Sequence, residues 1–157
     1  GVALGDVGRH GAVRTGDLTD GLVPFHKLSQ WLAYSLVEPL EEAGIAVAGL
    51  EQLTGLPEYR NGGLFLDTGV LRLKRPDLAA APLDPLSEPV VEWRALTVVL
   101  LDRIAEEVRR RLGLDAERLP LAKVLQGGTW EAGRAIARRL REGGTPPLAV
   151  ASDGTIF

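Results

Sequence analysis

The chain has no cysteine and only two histidines, which excludes disulfides, thiolate metal sites and a His-rich metal centre. No metal and no cofactor is therefore expected. No apolar run approaches the length of a membrane span, and no signal-peptide pattern opens the sequence, so neither membrane association nor export is expected. The expected location is cytoplasmic. A formal charge of −3 gives no general attraction to nucleic acid or to an anionic surface. Methionine is also absent, and the chain opens on Gly1, as a piece of a longer protein would. Lysine is scarce, with only Lys27, Lys74 and Lys123 among 18 basic residues.

What is present is globular. Hydrophobic residues make up 45% and charged residues 25% of 157 positions, enough for one domain with a real core. The predicted class is mainly α, a single helical domain over residues 1–157.

The stretch Leu53–Asp67 concentrates the chemistry. Gly55 can close a short helix over residues 45–55 in the left-handed conformation, and Pro57 suits the first position of the next helix. That places Glu58 in a first turn, where free N–H groups and the helix dipole favour a carboxylate. Tyr59, Arg60 and Asn61, the chain's only asparagine, follow as a polar cluster. Gly62-Gly63 then costs a helix roughly 1–2 kcal/mol in propensity, so close approach by a backbone or ligand is expected there. The stretch fits either a tight helix–turn–helix corner with capped, paired polar groups or a binding site.

Upstream, a helix is predicted from Pro24 to Ala43. Phe25, Leu28, Leu32, Leu36 and Leu40 recur at helical spacing and are assigned to its core stripe. His26, Gln30 and Tyr34 form a second stripe of directional hydrogen-bonding groups, expected to dock on a loop or to wall a site. Ser87 should cap a further helix whose Val90–Leu101 half is apolar on nearly every side, the mark of a central element. Glu88 and Glu92 share a face on that half, and Arg94 is costly to bury unpaired. An ion-pair cluster with Arg60 would satisfy them. A last helix is expected from Trp130 to Arg141, capped by Thr129, with its arginines on a solvated side. The tail is expected to form a small β-hairpin turned at Asp153-Gly154, with residues 2–4 as a possible third strand.

Taken together, the segments Val23–Leu32, Gly55–Gly63, Glu88–Ala95, Gly127–Trp130 and Ser152–Thr155 resemble the C-terminal part of the uracil-catabolism protein four family, a family catalogued as a domain of unknown function. The resemblance covers nearly the whole chain and implies a missing N-terminal part of the same protein as partner. One departure is visible: where the family has Gly-Asp-x-Trp-x-His, this chain reads Gly5-Asp6-Val7-Gly8-Arg9-His10. A more distant likeness joins Lys27-x-x-Gln30, Tyr59-Arg60 and Glu92-x-Arg94-Ala95 to queuosine-salvage nucleoside hydrolases. It implies a helix–hairpin–helix element of the DNA-glycosylase kind, with Glu58 where those enzymes carry aspartate.

Two functional readings follow. In the first, the protein hydrolyses an N-glycosidic bond to ribose, a reaction whose oxocarbenium-like transition state needs an anion near the anomeric carbon and a base for water. Glu58 and Asp67 are the carboxylates assigned to it. His26, Gln30, Tyr34, Tyr59, Arg60, Asn61, Glu92 and Arg94 would bind a small nucleoside-like molecule, which the pathway implied by the resemblance makes a ribosylated urea. In the second reading the chain is a helical scaffold or regulatory protein of uracil degradation, and its polar motifs are corners and ion pairs.

Overall fold

The computed structural model describes residues 3–152. In chain order it contains β1 (Val7–Arg9), β2 (Leu22–Pro24), α1 (Lys27–Glu42), α2 (Tyr59–Asp67), α3 (Glu88–Leu112), α4 (Leu121–Val124) and α5 (Glu131–Leu140). A π-helical turn, Leu125–Trp130, joins α4 to α5. The fold is mainly α and a single domain.

The central helix is α3. Val90, Val91, Trp93, Arg94, Thr97, Leu101 and Ala105 are buried along it, while Leu96 and Val99 reach solvent. Its apolar character therefore exceeds its burial, and one side is free. Gly113 ends it with φ 64°, the left-handed closure that glycine adopts without strain. Helix α2 packs against α3 and α5. Phe65 and Leu101 meet Leu125 in one cluster, and Val90 and Trp93 meet Leu148 in another. Each such side chain contributes roughly 1.5–3 kcal/mol by burial.

The glycines of the central motif create these contacts. A Cβ on Gly62 would lie 2.8 Å from Trp93 Cε2 and 2.9 Å from Thr97 Oγ1, and Trp93 Nε1 donates to the Gly62 carbonyl at 3.0 Å. On α5, a Cβ on Gly133 would stand 2.3 Å from the Arg60 carbonyl oxygen. Gly55 serves the same purpose against Leu101, with 2.7 Å to Cδ1, and its backbone is not left-handed. The expected helix before it is a single 3-10 turn, Leu50–Gln52, followed by extended chain.

Several expectations are corrected. Leu28, Trp31, Leu32 and Leu36 are exposed, Leu32 at 61%, so the α1 stripe assigned to the core faces outward. The face that docks is the polar one: Tyr34 Oη donates to the Thr54 carbonyl at 2.9 Å, and Gln30 Oε1 accepts the Thr54 N–H at 3.3 Å. A stripe at helical spacing shows that a helix is amphipathic in pattern, but the neighbours decide which side is covered. Thr129 does not cap α5, because the π turn runs into it without a break. The antiparallel pair is β1–β2, near the start of the chain. Residues 3 and 4 form no strand. The proposed turn at Asp153-Gly154 lies outside the described residues, and Val150 makes a parallel bridge with Leu83.

Candidate functional site

Glu58 is the N-cap of α2, one position before the first turn. Its Oε2 accepts the Arg60 N–H at 2.7 Å and its Oε1 the Asn61 N–H at 2.6 Å. Two of the helix's free donors are thus satisfied by one carboxylate. Burial nevertheless raises its pKa, outweighing the lowering by these two bonds and by the Lys27 and Arg60 charges. Each carboxylate oxygen keeps a second lone pair for a further donor.

The groups around Glu58 come from three elements. Arg94 of α3 is wholly buried and donates from both terminal nitrogens to the Asp6 carboxylate, each at 2.7 Å. Its Nε reaches the Pro57 carbonyl at 3.3 Å, and its guanidinium lies 4.1 Å from the centre of the Phe25 ring. Asp6 also accepts the Lys27 N–H at 3.0 Å, and its carbonyl takes the Phe25 N–H at 2.9 Å. Thus Asp6 ties the start of α1 to α3. Lys27 is 6% exposed, and its ammonium has Glu58, Asp6 and Arg94 as its charged neighbours. Burial lowers its pKa most, with Arg94 acting in the same direction against the two carboxylates. His26, exposed at the edge of this cluster, holds φ 45°, the one left-handed non-glycine among the described residues. Such strain costs on the order of 1–3 kcal/mol and gathers at functional sites.

The remaining sequence-assigned residues are distributed. Tyr59 and Arg60 stack, 4.9 Å from guanidinium carbon to ring centre, and line a cavity of about 390 Å³ with Gly143–Pro146. Asn61 is buried, its Nδ2 at 3.4 Å from the Leu56 carbonyl and its Oδ1 without a partner among the described residues. Gln30 and Tyr34 hold Thr54, as above. Glu92 stands 3.7 Å from Lys74, whose side chain is 89% exposed, and Glu88 accepts the Gly11 N–H at 2.6 Å. The expected ion-pair cluster of Glu88, Glu92, Arg94 and Arg60 therefore does not form. Asp67 ends α2, about 13 Å from Glu58 at 1.5 Å per residue, and is held by both terminal nitrogens of Arg141. The two carboxylates assigned to one reaction are not neighbours.

Asp6 and Lys27 are the members of the cluster that residue patterns alone missed. Asp6 pairs with Arg94 across 88 positions of sequence, which no local spacing reveals. The isolated lysine next to His26 carried a signal, since an apolar position would suit a buried helix start. Gly8 lies where the resemblance has tryptophan, and a Cβ there would sit 2.3 Å from Val91 Cγ2. In this chain the β1 backbone itself packs on α3 at that point. Among the described residues no group of acidic and histidine side chains is arranged to hold a metal ion, and no helix is long and apolar enough to cross a membrane.

A protein joined by a capped, buried carboxylate, a buried lysine and an arginine–aspartate pair has a site of hydrolase type in its chemistry, and the comparisons place the chain. All of residues 1–157 match the family described as protein of unknown function (DUF1688), and the chain belongs to that family. It is 49% identical over 141 residues to "Protein urg3" of Schizosaccharomyces pombe, covering 88% of this chain and 35% of that protein. It is 42% identical over 156 residues to "Uracil catabolism protein 4" of Lachancea kluyveri, again 88% of this chain and 35% of that protein. The chain thus spans about a third of the length of these relatives. No solved structure matches it.

Proposed function

We propose that the protein acts in uracil catabolism and that the Glu58 cluster hydrolyses the N-glycosidic bond of a ribosylated urea or a related nucleoside. The pathway follows the name of the Lachancea relative. The observation that carries the reaction is Glu58 itself: a partly buried carboxylate, oriented by two main-chain N–H groups, with Lys27 as a charged neighbour and the Asp6–Arg94 pair beside it. In this reading Glu58 stabilises the developing positive charge at the anomeric carbon or takes a proton from the attacking water. His26 at the edge hydrogen-bonds the leaving group. Tyr59 and Arg60, whose cavity adjoins the same turn of α2, bind the distal part of the ligand.

The test is incubation of the full-length protein with ribosylurea and a panel of nucleosides while free ribose is measured. Ribose release that depends on Glu58 supports the reading, and no release from any member of the panel ends it.

A scaffold role is the second reading, favoured by the outward apolar stripe of α1 and by the separate pairing of Asp67, Glu88 and Glu92. The remaining part of the longer polypeptide would then cover α1, as it would in the enzyme too.

A further inference from the structure

We propose that Lys27 is the general acid of this site, the group that delivers a proton to the departing nitrogen of the riboside. The inference rests on the reading of Glu58 as the reacting carboxylate.

Its basis is a buried cation that the protein leaves uncommitted. Lys27 is 6% exposed, yet its ammonium makes no hydrogen bond and no ion pair within 4 Å among the described residues; only its main-chain N–H is held, by Asp6. An ammonium taken from water without a partner is costly, and lysines in such positions are retained for chemistry more readily than for packing. The carboxylate that would ordinarily neutralise it is engaged elsewhere. Asp6 is clamped by both terminal nitrogens of Arg94. Glu58 is turned towards the Arg60 and Asn61 N–H groups. The charged groups facing Lys27 are therefore Arg94 from α3, Asp6 from the segment before β1, and Glu58 from the cap of α2. Burial and Arg94 together lower its pKa, which makes the ammonium a stronger acid nearer neutral pH.

The step balances. The C1′–N bond breaks with its electron pair going to nitrogen, which takes a proton from Lys27 Nζ. Water adds its oxygen to C1′ and yields a proton to the Glu58 carboxylate. Transfer of that proton from Glu58 to the neighbouring Lys27 amine restores both groups. A general acid matters most for a poor leaving group, so the substrate class is N-ribosides of amides and ureas, whose nitrogen anions are too basic to leave unprotonated.

The experiment compares Lys27→Met, Lys27→Arg and Glu58→Gln in the full-length protein on ribosylurea and on 4-nitrophenyl riboside, whose phenolate leaves without a proton. Lys27→Met should lose roughly a hundred- to ten-thousand-fold on ribosylurea and less than about tenfold on the nitrophenyl riboside. The basic limb of the pH profile of kcat/KM should disappear in the same variant. Glu58→Gln should lose activity on both substrates. Equal losses of Lys27→Met on the two substrates, or an unchanged basic limb, overturn the assignment of Lys27 while leaving Glu58 in place. An inactive wild-type protein on both substrates overturns the Glu58 reading and this one with it. Melting temperatures of each variant separate loss of chemistry from loss of fold, and Lys27→Arg, which keeps the charge with a far weaker acid, should fold normally and resemble Lys27→Met in rate.

Discussion

Arg94 and Asp6 stand 2.7 Å apart at both ends of a bidentate pair, and the arginine side chain is entirely out of solvent. Removing one partner leaves the other charge buried, which costs on the order of 3–5 kcal/mol. Asp6→Asn and Arg94→Met should each lower the unfolding free energy by about that amount. The double variant Asp6→Leu with Arg94→Met should cost clearly less than the sum, because no lone charge remains. Urea unfolding of the four proteins measures the coupling, and simple additivity would show that the pair is not mutually dependent.

Gly62 and Gly133 test the packing of α2. Gly62→Ala drives a methyl group into Trp93 and Thr97, and Gly133→Ala drives one into the Arg60 backbone at a still shorter separation. Overpacking typically costs about 1–3 kcal/mol. The Gly133 variant should be the worse, because a helix backbone yields less than a side chain. Gly127→Ala and Gly128→Ala, where a Cβ meets nothing within 4 Å, are the controls and should be neutral or stabilising. Thermal melts of the four variants give the ranking.

Glu58→Gln keeps the volume and removes the charge. Turnover of ribosylurea should fall by about a hundred- to a thousand-fold, the usual loss for one group that stabilises transition-state charge. Its effect on stability has a definite sign with pH. Burial raises the Glu58 pKa, so its contribution is fully present below the unfolded value of about 4.3 and is lost as pH rises through the folded pKa. The melting temperature of the wild type relative to Glu58→Gln should therefore be highest in acid and decline towards neutrality. A difference that grows with pH would contradict the burial of this carboxylate.

Asp67→Asn separates structure from chemistry. Its side chain is 4% exposed and bonded to Arg141, which ties the end of α2 to the end of α5. Losing charge-assisted bonds of this kind costs roughly 1.5–3 kcal/mol. Because about 13 Å of helix separates Asp67 from Glu58, the variant should melt earlier while retaining kcat on ribosylurea at low temperature. A hundredfold fall in kcat with an unchanged melting temperature would instead return Asp67 to the reaction.

The outer stripe of α1 gives a prediction of the opposite kind. Leu32→Lys in the present chain should change stability by less than about 0.5 kcal/mol, as exposed sites do. In the full-length protein the same change should be costly if the remaining polypeptide covers α1. Melting both lengths with and without the substitution distinguishes a covered face from a free one.

Some of this was legible in the residues alone. The helical class, the long apolar helix from Ser87 to Gly113 and a carboxylate at the start of the helix after Pro57 all follow from local rules, because capping, propensity and periodicity act over a few residues. The glycine pair of α2 announced a close approach, though not that Trp93 makes it. What the tertiary structure decided is every choice between equivalent local solutions. Helix α1 has an apolar and a polar stripe, and only the position of Thr54 determines that the polar one is covered. Glu88, Glu92 and Arg94 lie on one helix, yet their partners are Gly11, Lys74 and Asp6, each supplied by a different loop or strand end. Lys27 becomes a buried charge beside Glu58 because Asp6 pins the start of α1 against Arg94, a contact between residues 88 positions apart. Sequence specifies which groups need partners, since burial and charge are properties of the residue. The partner itself is selected by whichever segment the packing of the whole chain brings within about 3 Å.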